Sequence, residues 1–338
     1  MGLGIQRERV IIVTAKTRLE NLKVRFNTIS QAKFYLERQG SDFDALKKED
    51  SVMNFSVEQV QKDLQGVAKT KVISKEFLPN YIFSNKDIVV VVGQDGLVAN
   101  TAKYAHGIPI IGVNPDPTQY DGVLLPFQTK DIERIVEKTL ASRYSHKEVT
   151  MAEARLNDGQ RLLAFNDLFI GPQSHRSARY NLTFNKRTES QSSSGIIVST
   201  GAGSTGWLSS LINMANGIAS AFPPQIDELT GRVSSTRISK RSKSNSSNLP
   251  FQMIPQEALP WNTDKLVFVV REPFRSRTSN ISMSAGLIHQ KEHLKVESLM
   301  PQGGVIFSDG IEEDFLQFTA GTIAEVGVAK ERAHLVVS

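Results

Sequence analysis

The most informative run in the chain is Gly93-Gln94-Asp95-Gly96. The run follows the apolar stretch Ile88-Val89-Val90-Val91-Val92 and opens the helical pattern at 97–104. A strand that ends in glycines and then starts a helix is where α/β proteins hold phosphates, because backbone N–H groups can come close and the helix N-terminus favours anions. An aspartate repels phosphate. The chemistry that suits it there is that of a general base taking the proton of a hydroxyl nucleophile. Capping the following helix is the other role open to it, and the tetrapeptide alone leaves both standing.

A second element of the same kind is Ser199-Thr200-Gly201-Ala202-Gly203-Ser204-Thr205-Gly206-Trp207, which follows the apolar run 195–198. It offers backbone N–H groups and the hydroxyls of Thr200, Ser204 and Thr205 to a polar ligand. Trp207 suits either base stacking or a core position. Two glycine loops far apart in sequence fit two nucleotides, or the halves of one, in a cleft between domains. Asn166-Asp167 and Asp309-Gly310 are further polar pairs, each equally readable as a turn. Asn114 and Asp116 stand just past a strand end, where turn formation at the following prolines serves as well.

These residues must be positioned by two kinds of element. Arg9–Thr14 and 108–114 read as buried strands, 70–74 as a short strand and 88–92 as an apolar one, with 19–34, 54–65 and 97–104 as helical stretches between them. That alternation predicts an α/β N-terminal domain with a parallel sheet over residues 1–125. From 126 to 338 short β runs recur at 161–164, 168–170, 178–184, 195–199, 265–270, 280–283, 293–298, 305–308 and 334–337. Helices there are confined to 131–143 and the stretch after Ser204. This predicts an all-β C-terminal domain.

At 338 residues the chain can bury two cores. Its 40% hydrophobic and 22% charged residues are ordinary for a soluble globular protein. It has no cysteine, which excludes disulfides, thiolate metal sites and cysteine nucleophiles. The six histidines show no spacing suited to a metal site. Residues 231–249 hold five basic and no acidic residues, equal to the whole net charge of +5, together with seven serines. The rest of the chain is near neutral, so the basic balance does not point to nucleic acid. The 231–249 segment reads as a flexible insertion. No signal peptide or membrane span is read ahead of the first strand, and the expectation is a cytoplasmic protein, or a mature form whose leader has been removed.

In their order along the chain, the Gly93–Gly96 loop, Phe165-Asn166-Asp167, the Thr200–Trp207 loop and Ser308-Asp309-Gly310 resemble the motifs of the NAD kinase family. In that family the elements are Gly-Gly-Asp-Gly-Thr, Asn-Glu, a Thr-Pro-Thr-Gly-Ser-Thr-Ala-Tyr-like loop and a late Asp-Gly. The likeness is greatest to the mitochondrial type, through Gly112-Val113-Asn114-Pro115-Asp116-Pro117, Phe169-Ile170-Gly171, Ser193-Ser194-Gly195 and Arg271-Glu272-Pro273. It runs from about residue 9 to the C-terminus.

The resemblance implies the NAD kinase/diacylglycerol kinase-like fold and transfer of the γ-phosphoryl of ATP to the 2′-hydroxyl of the adenosine ribose of NAD. It implies Asp95 as general base and Gly93, Gln94 and Gly96 beside the diphosphate. Asn166 and Asp167 would hold the adenosine of NAD, with Thr200, Gly201, Gly203, Ser204, Thr205 and Asp309 also at the nucleotides. Mg²⁺ would arrive with ATP, no dedicated protein cage being visible, and the expected assembly is a homodimer.

The chain departs from the pattern at several places. Gln94 replaces a glycine, Leu97 a threonine and Asp167 a glutamate; Ser194 stands where bacterial members carry an aspartate, and Thr205-Gly206 replaces Thr-Ala. Two other readings follow. One is a related kinase acting on a lipid or sugar hydroxyl, against which Asn166-Asp167 and the Trp207 loop argue for a dinucleotide. The other is a nucleotide sensor without turnover, which Gln94 and Leu97 favour and Asp95 opposes.

Overall fold

A computed structural model describes residues 8–26, 28–221, 225–226, 233–234 and 259–337. Apart from 233 and 234, the serine-rich basic insertion read at 231–249 lies outside the described residues.

The N-terminal layer is a parallel sheet in the order Lys69–Ser74, Arg9–Thr14, Asp87–Val92, Pro109–Asn114. Asp87–Val92 and Pro109–Asn114 are buried at every position, as near-continuous apolar runs must be when both faces are covered. On one face Val10, Ile12, Val90 and Val92 meet Val60 and Leu64 of helix Phe43–Leu64 and Ile132, Ile135 and Val136 of helix Ile132–Leu140. On the other, Ile11, Val13, Val89 and Val91 meet Leu97, Val98 and Ala102 of helix Asp95–Ala102.

The C-terminal part is a sandwich of antiparallel sheets. One sheet carries Ala285–His289, Lys265–Val270, Ile196–Ser199, Asp167–Pro172, Gly304–Ser308 and Ile311–Gln317, in that order. The other carries Arg187–Ser193, Ala178–Phe184, Leu294–Ser298 and Ile323–Val337. Ile170, Val198, Phe268 and Ile306 of the first pack on Tyr180, Leu182, Val296 and Val326 of the second.

The long strand Ile323–Val337 joins the two parts. Its start pairs antiparallel with Leu294–Ser298, and His334 and Leu335 at its end run parallel to Pro109 and Ile110. Ser145–Leu156 follows it along most of its length. Phe127–Gln128 also pairs with Pro109–Asn114. The expected α/β part with a parallel sheet and the β-rich second part are both present.

Several elements differ from the sequence reading. The stretch at 19–34 is two helices, Arg18–Phe26 and Ile29–Arg38, because the Thr28 hydroxyl accepts from Gln31 N–H and starts a new helix. The helix read at 54–65 begins at Phe43, where the Asp42 carboxylate accepts from the N–H groups of Asp44 and Ala45. No strand forms at 280–283. There Ser282 Oγ and Met283 N–H donate to the Glu189 carboxylate and draw the backbone off the ladder, and the strand starts at Ala285. Among the described residues no helix is long and apolar enough to cross a membrane.

Candidate active site

Strand register gathers three of the four motifs. Asp167 opens its strand opposite Ser199, the last residue of Ile196–Ser199. Leu168, next in line, stands opposite Ser308, the last residue of Gly304–Ser308. Asn166-Asp167, Thr200 and Asp309 therefore emerge together at one end of three neighbouring strands.

Asp309 fastens this end. Its backbone sits at φ 55°, the left-handed region. Its carboxylate accepts from three successive N–H groups: Phe165 at 3.0 Å, Asn166 at 2.6 Å and Asp167 at 3.3 Å. Its own N–H donates to the Asp167 carbonyl at 2.9 Å. Burial pushes the Asp309 carboxyl up, against the pull of Lys103 and of the three N–H groups. Asp167 next to it is pushed up to about 7, first by burial, with a Ser199 hydrogen bond opposing and the Asp309 charge adding. Its Oδ1 is buried without a hydrogen-bond partner.

The second glycine loop is packed for structure as much as for ligand. Thr200 Oγ1 donates to the Phe165 carbonyl at 2.6 Å, and Ser204 Oγ to the Gly201 carbonyl at 2.7 Å. A Cβ on Gly201 would lie 2.1 Å from the Pro260 carbonyl oxygen, and one on Gly203 2.3 Å from that of Asn166. These two glycines are fixed by crossing backbone. Thr205 is exposed, and helix Trp207–Ala221 follows.

The first glycine loop faces a cleft of about 360 Å³ lined by Gly93, Gln94, Gly96 and Asn100 from one side and Asp309 and Ile311 from the other. Lys16, Arg18 and Lys75 also line it. A Cβ on Gly93 would lie 2.9 Å from Leu97 Cδ2, the end of a side chain that can shift rather than crossing backbone. The missing Cβ of Gly96 would meet nothing within 4 Å. Asp95 is the first residue of its helix, but its carboxylate does not cap it. Oδ1 instead accepts from Leu124 N–H at 2.7 Å. That loop crosses the sheet closely enough that a Cβ on Gly112 would lie 2.1 Å from the Leu124 carbonyl oxygen.

Two buried residues went unread in the sequence, Asn100 at the cleft and Lys103 at the end of the same helix. Asn100 is 7% exposed, and its Oδ1 has no hydrogen-bond partner. Lys103 is 3% exposed and donates to Ser308 Oγ at 2.8 Å, tying the end of helix Asp95–Ala102 to the C-terminal motif. Burial pushes its ammonium down, with Asp309 and Asp314 opposing. Beside it, Tyr104 Oη donates to Asp314. A lysine in a turn otherwise filled by Thr101 and Ala102 was the available signal.

A larger cavity, about 580 Å³, lies apart from this cleft, against Phe169, Trp207, Arg271, Phe307 and Phe315. Trp207 stacks on Phe169 (5.8 Å, 13° between planes), with the Arg271 guanidinium 5.3 Å from the Trp207 ring. The lone tryptophan of the loop thus serves packing and lines a cavity at once.

No family model matches the chain. Over 129 residues, 36% of the chain, it is 35% identical to a NAD kinase of Heliobacterium modesticaldum, covering 44% of that protein. The chain spans about half the length of the curated relatives it matches. Among solved structures it superposes on yeast NADH kinase complexed with NADH with a TM-score of 0.57, at 13% identity, over 98% of this chain and 84% of that one. A NAD kinase from Archaeoglobus fulgidus in complex with ATP gives 0.54 at 14% identity, over 97% and 93%. At such identities the superpositions establish the fold.

Proposed function

We propose that this chain, related to the NAD kinases in sequence and like them in fold, transfers the γ-phosphoryl of ATP to the 2′-hydroxyl of the adenosine ribose of NAD or NADH. The observation that carries this is the cleft at the first glycine loop. The N-terminus of helix Asp95–Ala102 opens there, with Gly96 leaving room that no protein atom fills. Lys16, Arg18 and Lys75 add positive charge for a polyphosphate.

In this reading Asp95 takes the proton of the attacking hydroxyl. One carboxylate oxygen is held by Leu124 N–H, which fixes the side chain's direction. Asn166, Asp167 and the Thr200–Thr205 loop hold the acceptor nucleotide, and Asp309 positions Asn166 and Asp167 through their N–H groups.

Mg²⁺ fits the residues present in a limited way. The cleft holds few carboxylates, as suits an ion bound mainly by phosphates and water, and the unpaired Asn100 Oδ1 is a hard oxygen able to accept from a metal-bound water. When bound, the ion neutralises phosphate charge. A homodimer, a cytoplasmic setting and the likeness to the mitochondrial type belong to the same proposal and rest on the motifs.

The test is NADP or NADPH formation from Mg-ATP with NAD or NADH, run beside Asp95→Asn. Product that disappears in the variant supports both the reaction and the base. Product that persists in the variant removes the base. No product, with ATP or NAD still raising the melting temperature, turns the reading toward a sensor or another acceptor.

A further inference from the structure

We infer that His146, Glu148 and His334 bind one divalent cation of the zinc class at the edge of the sheet, apart from the nucleotide cleft. The sequence shows no such site, because 146 and 334 are brought together only by strand pairing. In the antiparallel pairing of Ser145–Leu156 with Ile323–Val337, Glu148 stands opposite His334 and His146 opposite Val336. Residues two apart share a face, so both imidazoles flank the carboxylate on the same side. Val336 is covered by the cluster that includes helix Ile132–Leu140, and beyond that cover the row opens to solvent.

The three ligand atoms lie within 4.8 Å of one another. His146 Nε2 is 4.0 Å and His334 Nε2 3.8 Å from Glu148 Oε1, both longer than a hydrogen bond. Ligands of a tetrahedral zinc at 2.0–2.1 Å are about 3.4 Å apart, so the two pairs with Glu148 need to close by about 0.5 Å and the widest separation by up to about 1.4 Å. His146, Glu148 and His334 are 34%, 57% and 25% exposed, and the two imidazole centroids lie 4.7 Å apart. A cavity of about 540 Å³, lined also by Trp261 and Asn262, adjoins His146 and Glu148.

The neighbouring cations are engaged elsewhere. Arg332 is turned to Asp264 at 2.8 Å, and Lys147 lies 5.4 Å from the Trp261 ring. Two imidazoles and one carboxylate favour zinc-class ions over magnesium or calcium, which take oxygen. None of the three residues lines the glycine-loop cleft.

The full chain, free of any affinity tag and stripped of metal, is titrated with Zn²⁺ against a chromophoric chelator and with Co²⁺ by visible absorption. The expected result is one ion per chain. Glu148→Gln and His334→Ala should each weaken binding by more than about tenfold, the loss that even an outer-sphere partner can cause, while His289→Ala leaves it unchanged. Metal-free melting temperatures equal to the parent's show that the variants fold. Absence of bound zinc, or binding that survives both Glu148→Gln and His334→Ala, overturns the site.

Discussion

Asp95 Oδ1 accepts a hydrogen bond from Leu124 N–H at 2.7 Å, so the proposed base is also the anchor of the loop that crosses the neighbouring strand. The two roles separate by substitution. In Asp95→Asn the amide oxygen still accepts from Leu124, so the melting temperature should stay within a few degrees of the parent's. Loss of the base should lower turnover by about 10²–10⁴-fold. Asp95→Ala removes both roles and should also destabilise by about 1–3 kcal/mol, because a backbone N–H is left without its acceptor. Product assays beside thermal melts of both variants check this. An Asp95→Asn enzyme near full activity would reduce the residue to an anchor.

Asn100 invites the opposite trade. Its buried, unpaired Oδ1 costs stability and gains nothing from the folded chain alone. Asn100→Leu should therefore raise stability by about 1 kcal/mol in denaturant unfolding. It should weaken ATP or NAD binding in calorimetry by at least tenfold, about 1.4 kcal/mol. If nucleotide affinity is unchanged, the unpaired oxygen does not serve the ligand.

Lys103 is an internal charge that joins the two halves. It bonds Ser308, and the charges of Asp309 and Asp314 offset its burial. Lys103→Met keeps the volume but leaves those groups uncompensated. The expected cost is about 3 kcal/mol at neutral pH by urea unfolding, within the range for breaking one side of a buried charge pair. A loss under about 0.5 kcal/mol would show that Ser308 and the carboxylates are satisfied without it.

Asp167 gives the fold a pH dependence. Its folded-state value of about 7 lies above its ordinary value, so the folded chain binds this proton more tightly than the unfolded chain. That contribution is fully present below about pH 4 and is lost as the pH rises through about 7. Asp167→Asn should remove it, raising stability at pH 8 by about 1–3 kcal/mol while changing little at pH 4. Urea midpoints across that range are the measurement, and an unchanged pH profile in Asp167→Asn would assign the dependence to another group.

The apolar runs were legible because their signal is local: Asp87–Val92 carries Ile88 and four successive valines, and Pro109–Asn114 carries Ile110, Ile111 and Val113. Ser145–Leu156 and Ile311–Gln317 were not. Their exposed ends carry Ser145, His146, Lys147 and Glu148, or Glu312, Glu313 and Asp314, and read as loop until a partner strand pairs with them. At the site, glycines beside strand ends marked both loops. Nothing local showed that Gly201 and Gly203 answer to crossing backbone, or that Asp309 is latched to residues more than 140 positions away. Register between distant strands creates those contacts, and single-residue patterns do not encode it.

The glycines themselves supply the last test. Gly96 is the first-loop glycine with no protein atom near its missing Cβ and no left-handed φ, so packing does not explain it. Gly96→Ala adds a methyl to open space near the start of a helix and should leave stability unchanged, or raise it by about 0.5–1 kcal/mol. If a diphosphate occupies that space, the methyl collides with it, and KM for the nucleotide should rise at least tenfold. Gly203→Ala should behave in reverse. Its Cβ would lie 2.3 Å from a backbone oxygen, so it should destabilise by about 1–3 kcal/mol. Thermal melts and nucleotide titrations of the pair decide the matter. A stable Gly96→Ala chain that binds ATP and NAD like the parent would place the phosphates elsewhere in the cleft.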